Sequence, residues 1–223
     1  MALERPKSLR ELALEYLRNC IIDGSLKMGQ ILSERKISEE LGVSKSPVRE
    51  ALAQLRNEGL VSIEPQKGAR VFSLSELEVA QICDFRQAIE MAAFELALQR
   101  DPDGFADKIQ RVVVKMERER ARGNEKAYLS LDTAFHHLIF EHAGNDYLTE
   151  SYTRYIGKIA ALRTHLAKLP KHTELSFDEH KRIAVAIREG DRAKIKSLLT
   201  EHIDRTRLAY KSAAIIIEEA VVS

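Results

Sequence analysis

Asp132 and His136 stand four residues apart, the spacing that sets two metal-binding side chains on one face of a helix. Phe135 and Ile139 share that face. His180 follows Phe177 and precedes Ile183, Ala184 and Ile187 at helical spacing, and His202 continues the stripe of Ile195, Leu198 and Leu199. A carboxylate and imidazoles on core-facing stripes are costly unless they meet one another, water or a metal. An Asp-x-x-x-His pair on one helix, with single histidines from two neighbours, offers three nitrogens and one oxygen to a divalent cation. That donor set suits zinc, nickel, manganese or iron more than calcium, with zinc or nickel favoured. The other reading of the same residues is a helical surface pair and hydrogen-bonded core histidines.

A second group of residues is cationic. In the second of two helical patterns within Ser33–Leu60, Val48, Ala51, Leu52 and Leu55 recur on one helical face while Lys45, Arg49 and Arg56 fall on the opposite side. One face packs and the other meets something anionic, or is merely a solvated basic face. Ser44 can cap that helix, Pro47 is tolerated in its first turn, and Gly59 ends it. The preceding pattern starts at a capping Ser33, turns Ile37 and Leu41 inward, and places Arg35 near its start. Gly42 supplies the left-handed residue of a tight corner between the two.

The elements that must position these groups are legible in order. Ser8 with Glu11 forms a capping box for an amphipathic helix that lasts until Gly24, and residues 24–30 read as a connection. After the two helices, Val61–Glu64 alternates like a strand, Pro65–Gly68 has turn chemistry, and Ala69–Phe72 returns. Three helices and a hairpin make a winged helix-turn-helix, with Lys67 and Gly68 at the wing tip able to approach DNA. Capping-box candidates at Ser73/Glu76 and Ser75/Glu78 open the next helix almost at once. Six helical patterns follow, at 75–99, 104–122, 125–142, 146–168, 174–189 and 191–219. The expected fold is therefore mainly α: a winged helix-turn-helix over residues 1–73 and an antiparallel six-helix bundle over residues 74–223.

Composition limits the function classes. Net charge is only +1, and residues 1–72 carry 12 Lys+Arg against 10 Asp+Glu, leaving 23 against 24 for the remainder. Any affinity for nucleic acid must come from a few placed cations and should be salt-sensitive. All seven histidines lie after residue 72, so the two halves carry different chemistry. Cys20 and Cys83 have no metal or disulfide spacing, the N-terminus is charged from residue 4, and no apolar run reaches membrane-spanning length. A reducing cytoplasm is the expected compartment.

The run LSERKISEELGVSKSPVREALAQLRNEGLV, followed by GARVF, resembles the DNA-binding domain of the GntR family of bacterial transcription regulators. That resemblance implies operator contacts from Arg35, Ser44, Lys45, Ser46, Arg49, Lys67 and Gly68. An Arg-Thr pair is frequent in the family where Lys45-Ser46 stands here, and lysine cannot make a planar bidentate contact to guanine. The bundle is similar to the FadR-type effector domain, FCD, in its shorter VanR-like form. Asp132-x-x-Phe135-His136, Gly144-Asn145, Glu179-His180 and Gly190-Asp191 leading to Glu201-His202 carry that likeness.

The resemblance implies a metal on Asp132, His136, His180 and His202, and a small organic acid at or near it, clamped by Arg86 or, less typically, Arg163. Internal salt bridges are the alternative role of both arginines. His137 and His142 are further candidates to line the pocket, whereas His165 and His172 are expected on the surface. The implied function is a metabolite-responsive repressor that binds double-stranded operator DNA as a homodimer, not an enzyme. Two other readings use the same residues: a regulator that senses the metal itself, and a metal-dependent hydrolase fused to a DNA-binding domain.

Overall fold

A computed structural model describes residues 6–64 and 68–222, the last ten of these by backbone alone. A first compact unit takes in the chain up to Ser73, and a second runs from Leu74 onward, less Gly157–Ala161.

The first unit is built from α1 (Leu9–Ile22), β1 (Ile31–Leu32), α2 (Glu34–Leu41), α3 (Lys45–Asn57), β2 (Val61–Glu64) and β3 (Gly68–Val71). The Ser8/Glu11 capping box forms and starts α1, whose Ala13, Leu17 and Ile21 are buried. Ser33 accepts a hydrogen bond from the Lys36 N–H and so fixes the start of α2. Gly42 ends that helix at φ 64°, which a side chain would adopt only with strain. Val48, Ala51, Leu52 and Leu55 form the inner stripe of α3, leaving its opposite side to solvent. The strands lie in the order β1-β3-β2 with both pairings antiparallel, Val61 opposite Val71 and Glu64 opposite Gly68.

Two local expectations need correction. β1 was not visible as a strand because its two residues are too short to show alternation; the partner β3 defines it, through Ile31 opposite Arg70. Ser44 does occupy the cap position of α3, but its side chain makes no capping hydrogen bond.

The second unit contains α4 (Glu76–Arg100), α5 (Pro102–Ala121), α6 (Glu125–Ala143), α7 (Asp146–Ala167), α8 (His172–Glu189) and α9 (Arg192–Val222). Of the two overlapping capping boxes, Ser75/Glu78 is the one that forms. Asp101, Asn124 and Asn145 cap α5, α6 and α7 through side-chain oxygens. α4 packs on α6 and α9, α5 on α6 and α8, and α8 on α9. The inner faces of α6, α8 and α9 consequently converge, and with them the polar residues of their apolar stripes. Among the described residues no helix is long and apolar enough to cross a membrane.

Candidate functional site

His136, His180 and His202 arrive from α6, α8 and α9 and are all buried, with one ring nitrogen of each lying within 4.8 Å of the others. The Nε2 atoms of His136 and His180 are 3.3 Å apart. The His136 and His202 rings stack with centroids 5.2 Å apart, and Phe135 closes the side of His180 at 4.5 Å.

Two glutamates orient the rings. Glu90 of α4 receives a hydrogen bond from His136 Nδ1 at 2.8 Å, and Glu179 of α8 receives one from His202 Nδ1 at 2.7 Å. Each carboxylate keeps the proton on Nδ1 and so leaves the Nε2 lone pair available, the arrangement that supports metal-bound imidazoles. Neither glutamate is among the site residues expected from the sequence, where Glu179 figures only in the Glu179-His180 pair. The signals were present: Glu90 is one helical turn from Arg86, and Glu179 is adjacent to His180.

Burial lowers the basicity of all three imidazoles, and the nearby Arg163 and Arg86 guanidiniums add to the effect at His136. His180 is pushed down to about 3, chiefly by burial and against the pull of Asp132. The triad is neutral near pH 7, as metal ligation requires.

Asp132 stands beside this triad but is committed elsewhere. Its Oδ1 lies 2.9 Å from Arg163 Nε, and its Oδ2 is 3.7 Å from His180 Nδ1. The Arg163 contact is an ion pair whose N–H is not aimed along the line of centres, so Oδ1 gains no formal hydrogen bond. Burial alone would raise this carboxyl, yet the Arg163 cation holds it well below the usual carboxylate range. The histidine cluster thus assembles without Asp132, the fourth ligand expected from sequence, which sits within a short side-chain movement of it.

The two expected clamp arginines differ. Arg86 is ion-paired with Glu90, 2.7 Å from its Oε1, and lies 3.4 Å from the His136 ring, so it buttresses the Glu90–His136 pair. Burial works against its charge, and Glu90 more than restores it. Arg163 is buried too, but its two terminal nitrogens have no hydrogen-bond partner among the described residues. It lines a narrow cleft with Tyr128, Leu129, Asp132, His172, Thr173, Ser176, His202 and Thr206. Two terminal nitrogens left over in such a cleft suit a carboxylate, to which they can donate two parallel hydrogen bonds.

His172, expected on the surface, is half-buried and joins this cleft, with Arg205 NH1 3.1 Å from its Nδ1. Its basicity falls to about 4 through burial and the Arg205 charge. Arg205 also grips both oxygens of Glu179, at 2.6 and 2.7 Å. Burial alone would raise Glu179; its bonds to His202 and Arg205 bring it down to about 2. His137 and His142 do not line the cleft. The first pairs with Glu141 and the second lies against the Phe105 ring, because both point off the inner stripe of α6. His165 is half-buried on α7.

On the first unit, Arg35, Ser44, Lys45, Ser46, Arg49 and Gly68 are all exposed. Gly68 opens β3 at φ 84°, and Lys67 lies outside the described residues. Arg35 pairs with Glu39 at 3.7 Å, Ser46 donates to Glu50 at 3.1 Å, and Arg49 meets Glu34 at 3.0 Å. Lys45 has no ion-pair partner among the described residues.

Fold and site together define a class: a winged-helix DNA-binding unit carried on one chain with an all-helical unit that buries a histidine triad beside a polar cleft. Residues 9–71 match the family model described as bacterial regulatory proteins, gntR family, and residues 81–205 match the FCD domain. The chain belongs to the GntR family of bacterial transcription regulators and carries an FCD domain.

It is similar to the HTH-type transcriptional repressor GlaR of Escherichia coli, 30% identical over 196 residues that cover 84% of this chain and 89% of that one. It is also similar to the gluconate operon transcriptional repressor of Bacillus subtilis, 28% identical over 198 residues covering 84% and 79%. Among solved structures, McbR/YncC of Escherichia coli matches with a TM-score of 0.78 at 20% identity, covering 93% of this chain and all of that one. A GntR regulator from a Rhodococcus species matches with a TM-score of 0.81 at 20% identity, covering 93% and 99%. These relatives are transcription regulators rather than enzymes, and the hydrolase reading of the histidines is set aside.

Proposed function

We propose that this GntR regulator is a repressor whose hold on operator DNA is controlled by a small organic acid at a metal-containing site in the helical unit. The observation that carries this reading is the neutral triad of His136, His180 and His202, braced by Glu90 and Glu179, next to the two terminal nitrogens of Arg163 that its ion pair with Asp132 leaves without a hydrogen bond. The triad would hold a divalent transition metal, zinc or nickel before manganese or iron, with Asp132 as a fourth ligand once released from Arg163. Such a metal supplies an electrophilic anchor for an oxygen donor.

Charge supports an acid as the effector. Around the triad Arg86 faces Glu90, Arg163 faces Asp132, and Arg205 faces Glu179, so the buried ion pairs balance before any metal is added. A dication on neutral imidazoles brings uncompensated charge into a low-dielectric interior, and an anion beside it offsets the cost. Arg163 is the better placed of the two arginines to grip its carboxylate; Arg86 has the structural task. Hydroxyls of Tyr128, Ser176 and Thr206 along the cleft favour a short, hydroxylated acid over a long acyl chain. Similarity to the gluconate operon repressor, named for one such acid, agrees with that chemistry.

In this reading two chains bind a near-palindromic operator as a homodimer, each presenting Arg35, Ser44, Lys45, Ser46, Arg49, Lys67 and Gly68 to one half-site. The acid can regulate only by binding the DNA-competent and incompetent arrangements unequally, a coupling of about 1–3 kcal/mol in typical cases. Elemental analysis with native mass spectrometry of the purified protein tests the proposal. One metal per chain and a retained acid are expected. Protein that neither retains nor takes up a transition metal would overturn it. Operator affinity that follows metal concentration with no acid present would instead make the metal the signal.

A further inference from the structure

Arg49, which leads the exposed face of α3, does not wave freely in solvent. Its Nε lies 3.3 Å from both oxygens of Glu34, and its NH2 lies 3.0 Å from Oε2. Glu34 is the first residue of α2, next to the capping Ser33, where an acidic side chain is also favoured by the helix dipole. Its carboxylate is about two-thirds buried, with a side-chain exposure of 34% against 68% for Arg49. The partner on α3 is thus the more exposed one, and the carboxylate that meets it is the more buried one.

The contact has a side. Glu34 takes the edge of the guanidinium formed by Nε and one N–H of NH2. NH1 and the outer N–H of NH2, the end-on pair, have no partner among the described residues, and this pair matches the two acceptors on the major-groove edge of guanine. We propose that Glu34 is a positioning residue for sequence reading. It presents the end-on fork of Arg49 in one orientation, so that the rotamer freedom an arginine loses on binding a base is already lost in the free protein. The inference rests on Arg49 being a base-reading residue.

Such a device has a cost and a signature. A carboxylate near the DNA surface repels phosphates whatever their sequence, so Glu34 lowers affinity for all duplexes while raising discrimination among them. The surrounding residues show the same pattern. Arg35 has Glu39 and Ser46 has Glu50, while Lys45 has no acidic partner among the described residues and can serve as a plain phosphate contact. This accounts for a DNA-reading unit with little net charge.

The test uses full-length protein as purified and two probes: the tightest duplex that wild type selects from a random pool, and a scrambled version of it. Dissociation constants are measured at two salt concentrations for wild type, Glu34→Ala, Glu34→Gln, Arg49→Ala and the Glu34→Ala/Arg49→Ala double variant. Glu34→Ala should bind the scrambled duplex more tightly than wild type, yet its selected-to-scrambled ratio should fall by about tenfold or more, the loss expected when a bidentate base contact loses its geometry. Glu34→Gln, which keeps one acceptor and no charge, should fall between. In the Arg49→Ala background, removing Glu34 should leave the ratio unchanged.

An unchanged or increased ratio in Glu34→Ala would overturn the inference and make Glu34 a simple competitor for Arg49. A fall of equal size in the Arg49→Ala background would also overturn it, because Glu34 would then be acting through the start of α2. If Arg49→Ala alone kept the full ratio, the base-reading role of Arg49 would fail first, separately from the role of Glu34. Glu34→Gln, nearly isosteric, keeps the test valid should the alanine variant fold poorly.

Discussion

The Nε2 atoms of His136 and His180 face each other at 3.3 Å in the interior of the bundle, and only one of them can carry a proton toward the other. His136 already commits its Nδ1 proton to Glu90, so its Nε2 presents a lone pair. His180 Nδ1 finds no hydrogen bond. A buried imidazole with an orphaned nitrogen is a poor purely structural element, and a good ligand.

His180→Ala should therefore abolish tight metal binding while leaving operator binding by the apo form measurable. Inductively coupled plasma analysis of wild type and variant, at matched protein concentration, checks this. Equal metal content in both would remove the triad from consideration as a metal site.

Arg163→Gln should weaken carboxylate binding without emptying the metal site. Losing hydrogen bonds from a buried cation to an anion costs about 1.5–3 kcal/mol, or roughly 10- to 150-fold in affinity. Calorimetric titration of glycolate, lactate and gluconate into metal-loaded protein reads the change. An unaltered affinity in the variant would return the clamp role to Arg86.

The metal-free protein should lose stability as pH falls from 7 to 5. An ordinary histidine titrates near 6.5, whereas His180 in the fold titrates near 3, and burial also lowers His136 and His202. Below 6.5 the unfolded chain takes up protons that the fold refuses, so the stabilisation, complete above 6.5, is lost progressively as pH drops toward the folded values. Melting temperatures of chelator-treated protein across this range should decline, and saturating metal should oppose the decline. A flat profile for the apo form would contradict the burial of neutral imidazoles.

Arg49→Ala should eliminate preference for the selected duplex while metal content and melting temperature stay at wild-type values, since the side chain is exposed. Loss of metal and DNA binding together would signal unfolding instead.

Gly42→Ala isolates a backbone effect. A Cβ at this position would meet nothing within 4 Å, so the expected loss of about 1–2 kcal/mol comes from the left-handed φ of 64° alone. Urea denaturation followed by circular dichroism gives the value; a neutral result would mean that the α2–α3 corner adjusts its backbone.

Much of the fold was legible because its signals are local. Ser8 with Glu11, Gly42, Asn124 and Gly144 act within one helical turn, and the stripes of Val48, Ala51, Leu52 and Leu55 report their own burial. The convergence of His136, His180 and His202 was also accessible, because each histidine interrupts an apolar stripe. What stayed hidden depends on contacts distant in sequence. β1 exists only through Arg70 and Ala69. The division of labour between Arg86 and Arg163 follows from which carboxylate each meets, and His172 is drawn inward by Arg205. Periodicity states that a residue faces inward; it does not state what is waiting there.

The three imidazoles belong to α6, α8 and α9, the first pair standing 44 positions apart in the chain. During synthesis the last of them emerges only when α9 is being made, long after the winged helix is available to fold. For a time the growing chain has its winged helix-turn-helix without the histidine cluster, and no truncated product ending before His202 can complete that cluster. A chain cut short there would keep the whole GntR match, residues 9–71, and lack the third imidazole.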